Sequence, residues 1–403
     1  MSTPAPGGGL NAEGLAETRA LLAGHIERGA LPGLVALIAR HDQAHVEVLG
    51  RLAFGDTEPM PRDAIFRIAS LTKPITAAAT MILVDDGVLR VEDPVDDLLP
   101  ELADRRVLRS IDAELDDTVP ARRAITVEDL LTFRLGFGNV MAPPGTYPIQ
   151  RAEEELRLAT LGPPWPPPPL SPDEWIERLG RLPLMHQPGE EWRYNTGAQV
   201  LGVLIARAAG MPFESFLQER VFGPLGMTDT AFSVPPGRRH RFTTAYAPDP
   251  ESGALRVLDG VDDGYWSTPP QFANGAGWLV STVDDFWSFV QMLLHHGTYG
   301  GGRLLSAASV ARMTTDHLTR EQRDGAAPFL AGGGWGFGMT VPAADGTRSV
   351  PAGFGWDGGM GTTWRSDPAR DLTGILMTQR AMTSPQPPDT FVDFWRGAYR
   401  SAK

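Results

Sequence analysis

The apolar runs that are typical of buried β-strands stand at the two ends of this chain, and helix-like patterns fill its middle. Gly33 to Ala39 is a continuous apolar run, and His45 to Leu49 alternates as a hairpin partner would. Leu372 to Gln379 is a second apolar run, near the C-terminus. The order of these patterns predicts one sheet built from both ends of the chain, with a helical unit inserted between its strands.

The length of 403 residues agrees with two structural units, because it exceeds what one small core needs. We predict an α+β fold, a sandwich of sheet and helices. Residues 15–68 and 240–403 would form a discontinuous domain with an antiparallel sheet flanked by helices. Residues 69–239 would form a mainly helical inserted domain. Residues 1–14, rich in Pro, Gly and Ala, would be a flexible N-terminal segment.

The composition argues against several classes of protein. The chain has no cysteine, which excludes disulfides, thiolate metal sites and cysteine nucleophiles. A formal net charge of −13 argues against a nucleic-acid or anionic-membrane partner. No run of about 18 apolar residues predicts a membrane span. The N-terminal residues lack the basic and apolar regions of a signal peptide, so we expect a cytoplasmic location.

A Ser-x-x-Lys pattern, Ser70 and Lys73, stands where an extended segment turns into a helix. Residues three apart share a helix face, so the hydroxyl and the amine can meet. A serine beside an amine of lowered pKa is an activated nucleophile. The helix that follows, Pro74 to Asp86, is apolar nearly all round, so burial would lower the pKa of Lys73. The alternative is a surface lysine after a helix-capping serine, but the only other lysine of the chain is Lys403.

Two further segments are candidates for completing a catalytic site. Tyr194 follows a Pro-Gly turn and precedes an apolar helix, so its phenol could project from a loop. A phenolate near a cationic lysine has a lowered pKa and could accept the serine proton. Phe354 to Gly361 is dense in glycine, which would let the backbone approach a substrate as an oxyanion hole requires. The alternatives are a core tyrosine with a satisfied hydroxyl and a turn without a chemical role.

The segment 136–172 is rich in glycine and proline, and Pro163 to Pro172 holds seven prolines around Trp165. Such a segment is stiff and extended. We interpret residues 136–172 as a lid or wall over a site, with an interdomain linker as the alternative.

Other catalytic motifs are missing from the sequence. The chain has no Gly-x-Ser-x-Gly, no His-Glu-x-x-His and no P-loop, and Gly332 to Gly336 does not match a dinucleotide fingerprint. We therefore expect neither a metal nor a cofactor.

Taken together and in order, the motifs resemble those of the serine β-lactamase/penicillin-binding-protein-like superfamily. The similarity is greatest to the class C-like (family VIII) esterases and to related acyltransferases, and it extends from about Leu31 to Thr378. The segments that carry it are Phe66–Lys73, Ile125–Thr132, Tyr194–Gly197, Gly223–Met227 and Gly277–Thr282. The resemblance implies a β-lactamase/transpeptidase-like fold.

The resemblance also implies a role for each candidate residue. Ser70 would be the acylated nucleophile, and Lys73 would take or hold a proton. Tyr194 would be the base that activates Ser70 and later the attacking water or alcohol. The backbone N–H groups of Ser70 and Gly359 would form the oxyanion hole. Further candidates for binding the substrate are Trp165, Asn195, Trp356, Asp357 and Gly358.

The chain departs from the family pattern at two places. Thr196 stands where the family's Tyr-x-Asn motif has its asparagine, and Asn195 is shifted by one position. The family's Lys-Thr-Gly motif, whose lysine binds a substrate carboxylate, cannot be present because no lysine remains to fill it. Trp356 lies in that region instead. We therefore expect a preference for uncharged or apolar acyl groups.

These observations predict a serine hydrolase that cleaves a small carboxylic ester through an acyl-enzyme on Ser70. An acyltransferase or amide-forming enzyme, which passes the acyl group to an alcohol or amine, is the alternative. A β-lactamase or D-amino-peptide hydrolase and a non-catalytic binding protein on the same scaffold are further alternatives. The sequence does not indicate whether the chain self-associates.

Overall fold

The computed structural model of the protein describes residues 9–41, 43–158, 170–346 and 351–403. Its helices are α1 Ala12–Glu27, α2 Thr72–Asp85, α3 Val127–Leu131, α4 Pro148–Glu155, α5 Pro172–Gly180, α6 Thr196–Ala209, α7 Phe213–Leu217, α8 Gly223–Leu225, α9 Val283–Leu294, α10 Ala307–Met313, α11 Arg320–Gly325, α12 Ala327–Leu330 and α13 Asp389–Ser401. A π-helical turn, Gln218–Phe222, joins α7 to α8, and 3-10 turns occur at Ala69–Leu71, Pro100–Leu102, Pro236–Arg241 and Tyr265–Ser267.

The strands are mostly short outside the central sheet. They are β1 Gly33–Arg40, β2 Gln43–Gly50, β3 Phe66–Arg67, β4 Arg106–Leu108, β5 Thr118–Pro120, β6 Ala245–Pro248, β7 Leu255–Asp259, β8 Val280–Ser281, β9 Thr298–Tyr299, β10 Gly302–Arg303, β11 Gly334–Trp335, β12 Thr340–Val341, β13 Phe354–Gly358, β14 Thr362–Asp367 and β15 Leu372–Thr378.

A seven-stranded antiparallel sheet forms the centre of the described chain, in the order β11-β12-β13-β14-β15-β1-β2. β1 pairs with β15 so that Leu34 lies opposite Thr378 and Arg40 lies opposite Leu372. β1 also forms the predicted hairpin with β2. These pairings confirm the prediction of an antiparallel sheet built from both ends of the chain.

One face of the sheet is covered by α1 and α13. Side chains alternate across a strand, and Leu34, Ala36 and Ile38 of β1 all point to this face. They pack in one apolar cluster with α13, which contributes Phe394 and Trp395. The two terminal helices therefore close the outer side of the sheet.

The opposite face of the sheet carries the larger core. Val35, Leu37 and Ala39 of β1 belong to this cluster, together with apolar residues of α2, α6 and α9. Every residue of α2 from Thr72 to Leu83 is buried, as the pattern of the sequence predicted. Because one apolar cluster continues from the sheet through α2 into α6, the core shows no gap at the predicted domain boundaries. The division into 15–68 with 240–403 and 69–239 stays a prediction.

The segment 136–172 is less irregular than the sequence suggested, because it contains α4. Pro148 occupies the first turn, where its missing N–H costs nothing, and the Gln150 side chain accepts a hydrogen bond from Tyr147 N at 3.0 Å. Buried Ile149 and Ala152 fix the helix to the core. Trp165 and most of the proline-rich stretch lie outside the described residues.

Within the described ranges, no single helix has both the length and the apolar character needed to cross a membrane. Only α6 and the helical segment Phe213–Leu225 meet that test jointly, and a bend of 79° separates them.

The buried face of α13 provides a test of the fold. Phe394 is 0% exposed against the sheet, and Val392 of the same helix is 45% exposed. Phe394→Ala should lower the free energy of unfolding by about 3–5 kcal/mol, because it leaves a cavity between helix and sheet. Val392→Ala should change it by about 0.5 kcal/mol or less. Denaturant unfolding of both variants measures the difference, and equal effects would contradict this packing.

Candidate active site

Ser70 lies at a sharp junction between a strand and a helix. β3 pairs with β8, and the N–H of the next residue, Ile68, donates to Leu279 O at 2.9 Å. Ala69 then adopts a left-handed backbone with φ +45°, and the 3-10 turn that it opens continues directly into α2. Such a backbone is costly for a residue other than glycine and is held here by packing on both sides. The junction leaves Ser70 half-buried at the start of an otherwise buried helix.

Lys73 lies one helical turn after Ser70 and contacts it, as the spacing predicted. Its Nζ is 2.9 Å from Ser70 Oγ and donates to Ala276 O at 2.6 Å. The Lys73 side chain is 1% exposed, and this burial lowers the pKa of Lys73 well below its usual range. Burial therefore favours the neutral amine, whose lone pair can accept a proton.

Tyr194 completes a triangle of polar atoms around the serine. Its hydroxyl lies 2.8 Å from Ser70 Oγ and accepts a hydrogen bond from Trp356 Nε1 at 2.9 Å. The face of its ring is 4.4 Å from Lys73 Nζ. The structure thus brings together Ser70 from the 3-10 turn Ala69–Leu71, Lys73 from α2 and Tyr194 from the loop before α6.

The expected lowering of the Tyr194 pKa is wrong. Burial raises the pKa of Tyr194 to about 12, although the hydrogen bonds with Ser70 and Trp356 act in the opposite direction. The nearby Asp357 raises it further. The phenol is neutral at physiological pH because its surroundings disfavour the phenolate more than its hydrogen bonds favour it.

Asn195 positions Tyr194 through its backbone. It has φ +85° and ψ −58°, and Thr196 N donates to Tyr194 O at 3.2 Å, which together define a γ-turn. This strained turn is followed at once by α6. At Gly197 of that helix, a Cβ would lie 2.5 Å from Leu130 O, so α6 packs closely on α3 and keeps the turn in place. Asn195 was predicted to bind substrate, and this role stays a prediction.

The glycine-rich end of β13 lies beside the serine turn. A Cβ at Gly358 would be 2.3 Å from Ile68 O, so only glycine allows this approach of the two backbones. Gly361 N donates to Gly358 O at 2.9 Å and closes a tight turn. Gly359 lies within that turn, where its carbonyl accepts from Met382 N at 2.8 Å and the position of a Cβ faces open space. Its oxyanion role stays a prediction.

Trp356 and Asp357 have partners other than a substrate. Trp356 is 5% exposed and directs its indole N–H to Tyr194, so it does not form an open wall. Asp357 makes a two-pronged ion pair with Arg365, with both N–O distances at 3.1 Å. Arg365 is therefore neutralised next to the site.

Sequence reasoning missed the aromatic residues around Tyr194. Phe329 of α12 stacks on the Tyr194 ring with a centroid distance of 4.6 Å, and Trp192 stacks on it at 5.8 Å. Gln322 of α11 donates to Gly189 O at 2.8 Å, in the loop that leads to Tyr194. The only sequence signal was the Thr319-x-x-Gln322 capping pattern, which indicates a helix but not its position.

The arrangement provides a reachable hydroxyl, a desolvated amine, a neutral phenol and a glycine turn, which are the groups that acyl transfer through a serine needs. Among the described residues, no three His, Asp or Glu side chains gather in a way that could bind a metal ion.

Comparisons with known proteins identify the family of the chain. The sequence profile of the Beta-lactamase family matches residues 18–392. Protein Rv1367c of Mycobacterium tuberculosis is 40% identical over 377 residues, which cover 91% of this chain and 89% of that protein. Esterase EstB of Burkholderia gladioli is 29% identical over 378 residues, with 87% and 86% covered. Simvastatin synthase of Aspergillus terreus, a solved structure, has a TM-score of 0.78 at 22% identity, with 96% and 98% covered.

Other similar proteins are named as acyltransferases. The family match over residues 18–392, together with similarity to proteins named as esterases and acyltransferases, shows that the protein is an enzyme of the serine hydrolase type. The chain belongs to the Beta-lactamase family.

Proposed function

We propose that this protein cleaves small carboxylic esters through an acyl-enzyme on Ser70. The observation that supports this most directly is the position of Ser70 Oγ, which lies 2.9 Å from Lys73 Nζ and 2.8 Å from Tyr194 OH on a half-buried turn. The similarity to esterases supports the same reaction.

The proposed base is Lys73. As Ser70 Oγ attacks the ester carbonyl carbon, its proton passes to the neutral Lys73 amine. The ammonium that forms is stabilised by Ala276 O at 2.6 Å and by the ring face of Tyr194. Tyr194, whose pKa of about 12 keeps it protonated, donates its hydroxyl hydrogen to Oγ and can relay a proton to the leaving oxygen. This assignment differs from the resemblance, in which Tyr194 is the base.

The remaining steps follow from the same groups. The backbone N–H groups of Ser70 and Gly359 are the proposed donors to the carbonyl oxygen when it becomes negatively charged. The C–O bond to the alcohol breaks, and the alcohol leaves with the proton that Lys73 held. Water then attacks the acyl carbon and gives a proton to Lys73. The bond between the acyl carbon and Ser70 Oγ breaks, Oγ takes the proton back from Lys73, and the acid leaves.

The proposed substrates carry uncharged, apolar acyl groups. The cation nearest to Trp356 along the sheet, Arg365, is already paired with Asp357 and offers little attraction to a substrate carboxylate. Half-buried Phe329, which stacks on the Tyr194 ring, adds apolar surface beside Tyr194. The proposal also keeps the cytoplasmic location and the lid role of residues 136–172 that were predicted from the sequence.

Acyl transfer to an alcohol is the second proposed activity, because it shares every step up to the acyl-enzyme. Half-buried Phe329 stacks on Tyr194, one of the groups that activate the second nucleophile, and apolar surface there favours an organic alcohol over water.

The nucleophile is tested with Ser70→Ala, which should lower kcat/KM for p-nitrophenyl acetate by about a thousandfold or more. It should also abolish the mass increase that a fluorophosphonate or an activated ester leaves on the intact protein. Ser288→Ala is the matched control, since its hydroxyl donates only to Asp284 O on the surface of α9. Labelling of Ser70→Ala at the wild-type rate would contradict the proposal.

The base is tested by pH dependence. Because the neutral amine is the active form and the pKa of Lys73 is lowered, kcat/KM should rise with pH to a plateau well below the usual lysine range. Tyr194→Phe should lower kcat/KM by about 10–100-fold and keep that rise, since it removes one hydrogen bond to Oγ. If the phenolate of Tyr194 were the base, the wild-type rate would continue to rise towards pH 12 and the variant would lose the rise.

The common acyl-enzyme is tested by partitioning. Several esters that share one acyl group should give the same ratio of new ester to free acid when a fixed concentration of alcohol is added, because one intermediate precedes both products. The product ratio is measured by chromatography. Ratios that change with the leaving group would show that no common acyl-enzyme forms.

A further inference from the structure

Phe329 covers Tyr194 on its solvent side. Among the described residues, the rings that contact the Tyr194 ring are those of Phe133, Trp192, Trp356 and Phe329. The first three are buried, whereas Phe329 is half-buried. Phe329 also makes the closest of these contacts, with ring centroids 4.6 Å apart and an interplanar angle of 27°. Of these rings, Phe329 is therefore the one that separates the phenol from solvent.

The other surroundings of Tyr194 belong to the site itself. Its hydroxyl lies 2.8 Å from Ser70 Oγ and accepts from Trp356 Nε1 at 2.9 Å. Lys73 Nζ lies 4.4 Å from the centroid of its ring. Two rings stacked at 4.6 Å leave no space for an amine between them, so Phe329 and Lys73 contact different parts of the Tyr194 ring. The stack on Phe329 thus completes the enclosure of the phenol.

The segment that carries Phe329 is fixed to the loop that carries Tyr194. Gln322 of α11 donates to Gly189 O at 2.8 Å, in the part of the loop that leads to Tyr194. Buried Leu330, the residue after Phe329, anchors α12 in the main apolar core. Contacts at both ends of the α11–α12 segment therefore hold the Phe329 ring at a fixed position on Tyr194.

The protonation of Tyr194 depends on how well water is excluded from its ring. Burial is the largest influence on the pKa of Tyr194 and raises it to about 12. Water that reached the phenol would solvate the phenolate and lower this pKa towards the ordinary value of about 10. In the proposed mechanism Tyr194 donates its hydroxyl hydrogen to Ser70 Oγ, and only the protonated phenol can donate it.

The charges around Tyr194 do not come from the helix that carries Phe329, because the residues of α12 are Ala, Pro, Phe and Leu. Lys73 of α2 contacts the Tyr194 ring, and Asp357 of β13, paired with Arg365 of β14, raises the pKa of Tyr194. Charged side chains on the other packed elements have partners of their own, namely Arg193 with Glu191 in the Tyr194 loop, Arg323 of α11 with Asp316, and Asp129 of α3 with Arg123. Replacing Phe329 by an uncharged residue therefore changes the access of water to Tyr194 and leaves the charges around it unchanged.

We propose that Phe329 is a positioning residue, whose ring shields Tyr194 from water and holds its protonated hydroxyl on Ser70 Oγ. The proposal rests on the proposed esterase function, in which Tyr194 donates to Oγ, and adds a residue outside the catalytic groups to it. Phe329 acts through Tyr194, the residue on which it stacks.

The shield is tested by titration of Tyr194, which needs no turnover. The ultraviolet absorbance of tyrosinate is recorded against pH for a protein and for the same protein with Tyr194→Phe, and the difference between the two curves belongs to Tyr194. The wild type should show no Tyr194 transition below about pH 11. Phe329→Ala should lower the midpoint by about one pH unit or more, because water reaches the phenol.

Three more variants make the titration decisive. Phe329→Gln, which is polar and of similar length, should lower the midpoint in the same direction and replaces Phe329→Ala if that variant does not fold. Phe329→Leu keeps an apolar cover and should keep the wild-type midpoint. Phe54→Ala is the matched control, because it removes a phenylalanine that contacts a different tyrosine, Tyr246, with ring centroids 5.0 Å apart. Circular dichroism verifies that each variant is folded over the pH range.

A double-mutant cycle tests whether Phe329 acts through Tyr194. Phe329→Ala should lower kcat/KM for p-nitrophenyl acetate about five- to tenfold in the wild-type background. In the Tyr194→Phe background the same substitution should change kcat/KM by less than about twofold, because the hydroxyl that Phe329 positions is absent. A merely structural role of Phe329 would lower kcat/KM by the same factor in both backgrounds.

The proposal requires both results. It is overturned if the Tyr194 midpoint of folded Phe329→Ala or Phe329→Gln equals that of the wild type. It is also overturned if Phe329→Ala lowers kcat/KM by the same factor with and without the Tyr194 hydroxyl. If the wild type forms no acyl adduct on Ser70, the proposed function fails, and the titration still decides whether Phe329 shields Tyr194.

Discussion

The burial of one lysine amine is the interaction on which the site depends. Lys73 is carried on α2, which is buried over nearly its whole length, and its amine is removed from water. A buried ammonium without an anionic partner is expensive, so burial lowers the pKa of Lys73 and favours the neutral amine. Its surroundings are a serine oxygen, a carbonyl oxygen and the face of a phenol ring. These neighbours can stabilise a proton transiently without holding it permanently.

Three separate parts of the chain must come together to form this environment. Each part contains a residue with a strained backbone near the site. Ala69 turns the chain before Ser70, Asn195 aims Tyr194, and Trp278 lies across from Ala69. Left-handed backbone at such residues persists only where packing on both sides over-determines it. Here α2, α6 and the central sheet share one apolar cluster, which provides that packing. The stability of the core thus supports the geometry of the site.

The sequence predicted much of this arrangement because several of its signals are local. The apolar runs predicted β1 and β15, and the Ser-x-x-Lys spacing predicted the contact between Ser70 and Lys73. The sequence could not give the direction of the Tyr194 pKa, because that depends on how many atoms exclude water from the phenol. It could not give the position of Phe329 either, since α12 comes to Tyr194 from a distant part of the chain. The strained backbone of Trp278 could not be predicted from the sequence either, because the type of one residue does not determine its backbone angles.

The replacement of a cation by Trp356 has two consequences that belong together. In the Lys-Thr-Gly pattern of the family, a lysine in this region binds a substrate carboxylate, and a positive charge near Tyr194 would also favour its phenolate. Here Trp356 gives the phenol a neutral N–H donor, and Asp357, which is paired with Arg365, raises the pKa of Tyr194 further. In the proposed mechanism, the same change removes an attraction for charged substrates and leaves the role of base to Lys73. The proposed substrate preference and the proposed proton chemistry are therefore coupled through this one position, because both depend on the charge beside the tyrosine.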